Sequence, residues 1–191
     1  TPEGEVKTWS YRDPGPDLMS FIIGSEGTLG IVTRAWLKII EKPKYVKTLA
    51  AAFGSLDNAM LAVTKIISSG ITPRALEAMD GVSIEAAGGN SRLSLPPGTE
   101  ALLIIELDGN DQPAIREAAE RVEAICSRNS ASYFKTAESE QERETLWEVR
   151  KGAYPAMARL APNVLVEDGA VPRPKLPEAL KETREILAGY K

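Results

Sequence analysis

Histidine is absent from all 191 residues of this chain. Without an imidazole there is no Ser–His or Cys–His nucleophile pair, no imidazole base and no histidine-based metal site. Cysteine occurs once, at Cys126, so no internal disulfide can form and a reducing, cytoplasmic setting is expected. No apolar run approaches the length of a membrane span, and no signal-peptide pattern opens the chain. Basic residues are in deficit, 23 Lys and Arg against 27 Asp and Glu for a net charge of −4. With no basic stripe to release counterions, nucleic acid is not an expected partner. Aromatic residues make up 6%, and Trp9, Trp36 and Trp147 are too scattered to form a base-stacking platform.

What is present is an ordinary apolar fraction, 43%, enough for a sizeable core. There is also one unusual loop, Gly24-Ser25-Glu26-Gly27-Thr28-Leu29-Gly30-Ile31. Three glycines spaced three apart suit a backbone that turns with positive φ or lies against a flat ligand, and Ser25 and Thr28 add hydroxyl donors. The loop lacks the Gly-Lys-Ser/Thr of a P-loop. It also opens no helix, as a dinucleotide fingerprint would; Ile31 to Ile40 reads instead as a strand. Taken alone, the loop reads as a tight turn into that strand.

Upstream, Gly4 to Ser10 reads as a short strand, and Asp17 can cap a helical turn ending at Gly24. Charge and proline at Glu41-Lys42-Pro43-Lys44 mark a boundary, dividing 1–42 from 43–191. Beyond it, Val46 to Phe53 is a strand, and Ser55 caps a helix with Ala59, Met60, Val63, Ile66 and Ile67 on its apolar face. Gly70 stops that helix, and Thr72 to Met79 is a second strand. After a Gly/Ser/Pro-rich excursion from Gly88 to Gly98, Ala101 to Leu107 is almost wholly apolar, as in a strand covered on both faces. Asn110 or Asp111 caps a helix with Pro113 in its first turn, whose stripe is Ile115, Ala118, Ala119, Val122, Ile125 and Cys126. Ala131 to Lys135 closes the unit. The order is βαββαβ, so the expected fold class is α+β with a ferredoxin-like core. A capping box, Ser139 with Glu142, opens another helix with Leu146, Val149, Ala153 and Met157 on its seam. Gly152 and Pro155 are expected to break it near 151–155. Val164 to Val166 reads as a strand, and Leu176, Leu180, Thr183, Leu187 and Tyr190 line a terminal helix started by Pro174 or Pro177.

The glycine loop behind Asp17-Leu18 resembles the cofactor-lining loop of the vanillyl-alcohol-oxidase (PCMH) flavoprotein family, position for position. Further motifs follow in order. They are Arg74-Ala75-Leu76-Glu77-Ala78-Met79-Asp80, Ala101 through Gly109, Leu146-Trp147-x-x-Arg150-Lys151-x-Ala153-x-Pro155-Ala156, and Glu167-Asp168-Gly169-Ala170-Val171-Pro172-Arg173. Over nearly the whole chain the series is similar to the glycolate oxidase and D-lactate dehydrogenase group. The resemblance implies that 1–42 is the end of a PCMH-type FAD-binding domain and 43–191 most of an FAD-linked oxidase cap domain. It implies FAD as cofactor, contacted by Gly24, Ser25, Gly27, Thr28, Gly30 and Ile31. The activity implied is oxidation of a 2-hydroxy acid, of glycolate or D-lactate type, by hydride transfer to flavin. It also implies partnership with other oxidase subunits, an iron–sulfur protein among them, and a site peripheral to the inner face of a membrane.

By the same resemblance, a pyrophosphate-binding glycine loop belongs upstream of Thr1, and a histidine motif holding a metal and a catalytic base belongs downstream of Lys191. The chain is therefore expected to be a fragment with no catalytic or metal-ligating residue of its own, holding no FAD and showing no dehydrogenase activity. Residues 1–42 would be its least ordered part, or would pair with a second copy through exposed strand edges.

Arg150 matches the arginine on the substrate side of the flavin, and a guanidinium fork suits a substrate carboxylate. The alternative is an exposed helical arginine pairing with Glu144 or Glu148. Relatives that oxidise 2-hydroxyglutarate carry a lysine two residues before the position of Asp168; Val166 stands there, so that substrate is not carried over. Tyr154 is expected in core packing and Asp168 and Arg173 in a buried ion pair, while Glu106 and Asp108 are expected to end their strand and set the turn into the next helix. Cys126 is expected to be inert. A rival function is a non-redox small-molecule-binding or regulatory ferredoxin-like module, since fold alone does not decide function. An RNA-binding version is disfavoured, the strands lacking paired aromatics.

Overall fold

The computed structural model describes residues 1–88 and 93–190, so part of the Gly/Ser/Pro-rich excursion, 89–92, lies outside the described residues. The chain divides into two compact units, Thr1–Lys42 and Pro43–Lys191.

The first unit contains one short helix, α1 (Leu18–Ile23). Asp17 caps it by accepting the Ser20 amide. Neither expected strand forms: Gly4 to Ser10 and Ile31 to Ile40 have no ladder, and no residue of 1–42 is buried. Ile31 and Ile40 are 84% and 81% exposed. A β-branched run becomes a strand only when a neighbour takes its amides and carbonyls, and this unit supplies none.

The second unit runs β1 (Tyr45–Phe53), α2 (Leu56–Ser68), β2 (Ala75–Asp80), α3 (Gly81–Gly88), β3 (Ala101–Gly109), α4 (Gln112–Arg128), β4 (Ala131–Thr136), α5 (Glu140–Met157) and α6 (Leu176–Ala188). The four strands form one antiparallel sheet in the order β2-β3-β1-β4. This is the split βαββαβ arrangement, with α3 inserted in the β2–β3 connection. β1 and β3 are central and nearly continuous in burial, because helices cover both faces. Leu49, Ala51, Phe53, Leu103 and Ile105 point to the α2 and α4 side. Alternate residues Ala50, Ala52, Leu102 and Ile104 point to α5, where Leu146, Val149, Ala153 and Ala156 meet them.

Most element boundaries follow local chemistry. Asp111 accepts the Ala114 amide at the start of α4, and Pro113 sits in the first turn. Gly70, with φ +84°, takes the left-handed turn after α2 that a side chain would resist. Ser55 occupies the N-cap of α2 in extended conformation, but its hydroxyl makes no capping bond. Ser139 accepts the Glu142 amide, while Glu142 answers to Glu138, one residue before the cap.

Three further expectations are corrected, and one helix was not expected. α5 does not break at 151–155. It continues through Pro155 to Met157, because the lost bond would have gone to the carbonyl of solvent-exposed Lys151, while Ala153 and Ala156 stay buried on the core side. Val164 to Val166 forms no strand and is exposed, lacking a partner as Ile31 to Ile40 does. Helix α3 was not legible: it is short, glycine at both ends and weakly amphipathic. Helix α6 forms, but only Leu176 and Leu180 reach the core; Leu187 and Tyr190 are exposed.

Candidate functional site

The sheet face under α5 changes character along its strands. At one end lie Ala50, Ala52, Leu102 and Ile104. Further along, the same face presents Thr48 of β1, Glu106 of β3 and Glu77 of β2. The register places Thr48 opposite Glu106 and Glu77 opposite Ile104, one pleat along from Glu106. Helix α5 answers with Arg143, Trp147 and Arg150, at spacings of four and three that keep them on one helix face.

Glu106 is the centre of this polar stripe. Only 4% exposed, its Oε2 accepts from Thr48 Oγ1 at 3.0 Å, Trp147 Nε1 at 2.9 Å and Arg143 Nη1 at 3.0 Å. Arg74 approaches its other oxygen at 3.6 Å. Burial alone would raise its pKa, but donation from Trp147, Thr48 and Arg143 outweighs this and holds it below the usual carboxylate range. Arg143 is clamped between Glu140 and Glu106, which strengthens its hold on its proton. The expectation that Glu106 merely ends a strand is corrected: it is a buried, fully partnered anion that ties α5 to the sheet. Sequence inspection missed it because its donors lie at 48, 143 and 147, brought together only by register and helix packing. The one available signal was an acidic residue inside an otherwise apolar run.

Arg150 lies one turn beyond Trp147. Its Nε donates to Glu77 Oε2 at 2.8 Å, so its partner is a strand residue and neither Glu144 nor Glu148. The side chain is 43% exposed, and Nη1 and Nη2 donate no hydrogen bond to any described residue. Tyr154 is exposed rather than packed in the core. Asp168 and Arg173 are exposed and form no ion pair with each other among the described residues, correcting the expected buried pair. Cys126 is fully buried and its thiol is pushed up to about 12 by burial, as inertness requires. An open cleft beside α3 is lined by Asp80, Glu85 and Glu100 against Arg184. Its charge is wrong for an anionic substrate, and Arg150 does not line it.

In the first unit, the glycine loop follows α1 directly. Gly27 has φ +84° and Glu26 φ +50°, so of the three glycines only Gly27 is conformationally required. The Ser25 and Thr28 hydroxyls spend their protons on the carbonyls of Ile22 and Ser25, at 2.9 and 2.6 Å. Toward a ligand they can therefore act as acceptors rather than as the donors expected. The amides of Glu26, Gly27, Leu29, Gly30 and Ile31 donate to no other described residue. A row of free backbone donors, with no Cβ at Gly27, fits a polar, flat cofactor such as FAD.

These features define an α+β domain with one polar, arginine-bearing sheet face. Residues 42–191 match the family described as FAD linked oxidases, C-terminal domain, and the chain belongs to that family. It is 40% identical over 193 residues to the glycolate oxidase subunit GlcD of Escherichia coli K12, covering 100% of this chain and 38% of that protein. GlcD of Bacillus subtilis is 39% identical over 92% of this chain and 37% of its own length. The mitochondrial D-lactate dehydrogenase [cytochrome] of Arabidopsis thaliana is 30% identical, over 97% of this chain and 33% of its own. The chain thus spans well under half the length of these relatives. An alkyldihydroxyacetonephosphate synthase structure shares the fold, with a TM-score of 0.60 at 22% identity, over 92% of this chain and 37% of that one. Among the described residues, no helix is long and apolar enough to cross a membrane.

Proposed function

We propose that the whole protein is an FAD-dependent oxidoreductase acting on a 2-hydroxy acid of glycolate or D-lactate type. In this reading 1–42 completes a PCMH-type FAD-binding domain and 43–191 forms the substrate-side cap. The observation that carries it is Arg150, held at the end of the polar face with its Nη edge free, within a chain aligned along its full length with a glycolate oxidase subunit. Bound FAD would supply the two-electron acceptor for hydride leaving the hydroxyl-bearing carbon.

The chain's own residues bind and orient. The backbone amides of Gly27 and Gly30 and the amide of Ile31 would donate to the cofactor's polar edge, with Gly24, Ser25 and Thr28 shaping the loop along it. Arg150 would take the substrate carboxylate in a two-pronged contact, fixing which hydrogen of C2 faces the flavin. Glu106, through Trp147 and Arg143, keeps the helix that bears Arg150 seated on the sheet. By analogy with a glycolate oxidase subunit, the protein would work beside other subunits, including an iron–sulfur protein, in the cytoplasm at the inner face of the membrane.

Arg150→Lys in the full-length protein tests the assignment. It keeps the charge and loses the fork. The expected loss is roughly 2–4 kcal/mol in kcat/KM for 2-hydroxy acids; unchanged kinetics would remove Arg150 from the substrate site.

A further inference from the structure

Glu77 belongs to a motif, Arg74 to Asp80, to which the proposed reaction gives no role. Its backbone is pinned in β2, opposite Ile104, and its carboxylate is 38% exposed on the α5 face of the sheet. There it accepts one hydrogen bond from Arg150, from Nε at 2.8 Å. A guanidinium has two edges able to form paired hydrogen bonds, one of them the Nη1–Nη2 fork. A hydrogen bond from Nε leaves that fork open.

We propose that Glu77 is a positioning residue. It holds Arg150 by the Nε edge so that the Nη1–Nη2 fork is presented to the carboxylate of a small 2-hydroxy acid. The proposal rests on the reading of Arg150 given above.

The physical case is preorganisation. A half-exposed arginine has several free torsions, and fixing them on substrate binding subtracts from affinity. Both ends of the Arg150 side chain are already restrained. Its backbone is in α5, seated by the Trp147 and Arg143 bonds to Glu106 and by buried Val149, and its guanidinium is tied to a strand of the same sheet. Glu77 also offsets the guanidinium's charge, yet it occupies a different edge from the one the substrate would use, so the two carboxylates need not compete.

The test uses the full-length, flavin-loaded enzyme with glycolate and D-lactate as substrates. It compares wild type, Glu77→Ala, Glu77→Gln, Arg150→Lys and the Glu77→Ala/Arg150→Lys double variant. Glu77→Ala should raise KM roughly tenfold, the scale of a hydrogen bond to a charged group, with a smaller change in kcat and unchanged flavin content. Glu77→Gln, which keeps an acceptor for Nε and nearly the same size, should recover most of the loss; a merely structural role would not give that split. The double variant should be little worse than Arg150→Lys alone, because the two losses share one contact. If Arg150→Lys weakens the enzyme while Glu77→Ala keeps wild-type KM, or if the two losses add in full, the positioning role is overturned and the Arg150 reading stands. A lowered KM in Glu77→Ala overturns it as well, since that is the mark of a competing carboxylate. An unchanged KM in Arg150→Lys overturns both.

Discussion

The indole N–H of Trp147 donates to the buried carboxylate of Glu106 at 2.9 Å, joining the middle of α5 to the central strand β3 one helical turn before Arg150. A bulky aromatic and an acid, neither notable alone, thereby set where the arginine stands. The contact is costly to break from either side, because a buried carboxylate that loses a donor keeps its desolvation penalty.

Trp147→Phe keeps the ring and removes the N–H. It should lower unfolding stability by about 1 kcal/mol, measured by urea denaturation of the 191-residue chain at neutral pH. A variant as stable as wild type would show that the indole bond contributes nothing net.

Glu106→Gln should cost roughly 1–3 kcal/mol at neutral pH, and the difference should depend on pH in a defined direction. Glu106 has its pKa lowered in the folded state, so its stabilisation is fully present above the unfolded value of about 4.3. It is lost as pH falls through the lower, folded value. Wild type and variant should therefore converge in acid. Denaturation midpoints that keep a constant gap down to the acid limit would contradict the account.

Cys126 should resist alkylation in the folded chain and react once it is unfolded. Its thiol is buried on α4 and pushed up to about 12, so almost no thiolate exists at neutral pH. Rapid labelling under native conditions, followed by mass spectrometry, would show that α4 opens locally.

The 191-residue chain should purify without flavin. Its glycine loop offers free amides, but no residue of 1–42 is buried, so the loop presents one open surface and no enclosing groove. Stoichiometric FAD released on denaturation would show that this surface suffices.

The helices and strands of the second unit were legible where periodicity was strong. The stripe from Ile115 to Cys126 and the apolar run from Ala101 to Leu107 read directly as α4 and β3, because each buries a face that sequence spacing reveals. Ile31 to Ile40 and Val164 to Val166 had strand composition without strand partners, and composition carries no information about pairing. On the polar sheet face, Arg150 stood out in sequence through its motif, but its strand partner Glu77 did not follow from that motif. The roles of Glu77 and Glu106 were not legible, since they arise from strand register and from a helix more than thirty residues away in sequence. The Ser25 and Thr28 hydroxyls were misread as donors because their internal bonds depend on the local turn geometry.

The most direct test is anaerobic mixing of the full-length protein with glycolate or D-lactate while the visible flavin absorption is followed. The account predicts a coloured protein whose flavin is bleached by at least one of the two acids, and bleached far more slowly when Arg150 is replaced by Lys. A correctly folded, colourless protein, or a flavin that neither acid reduces, would contradict it.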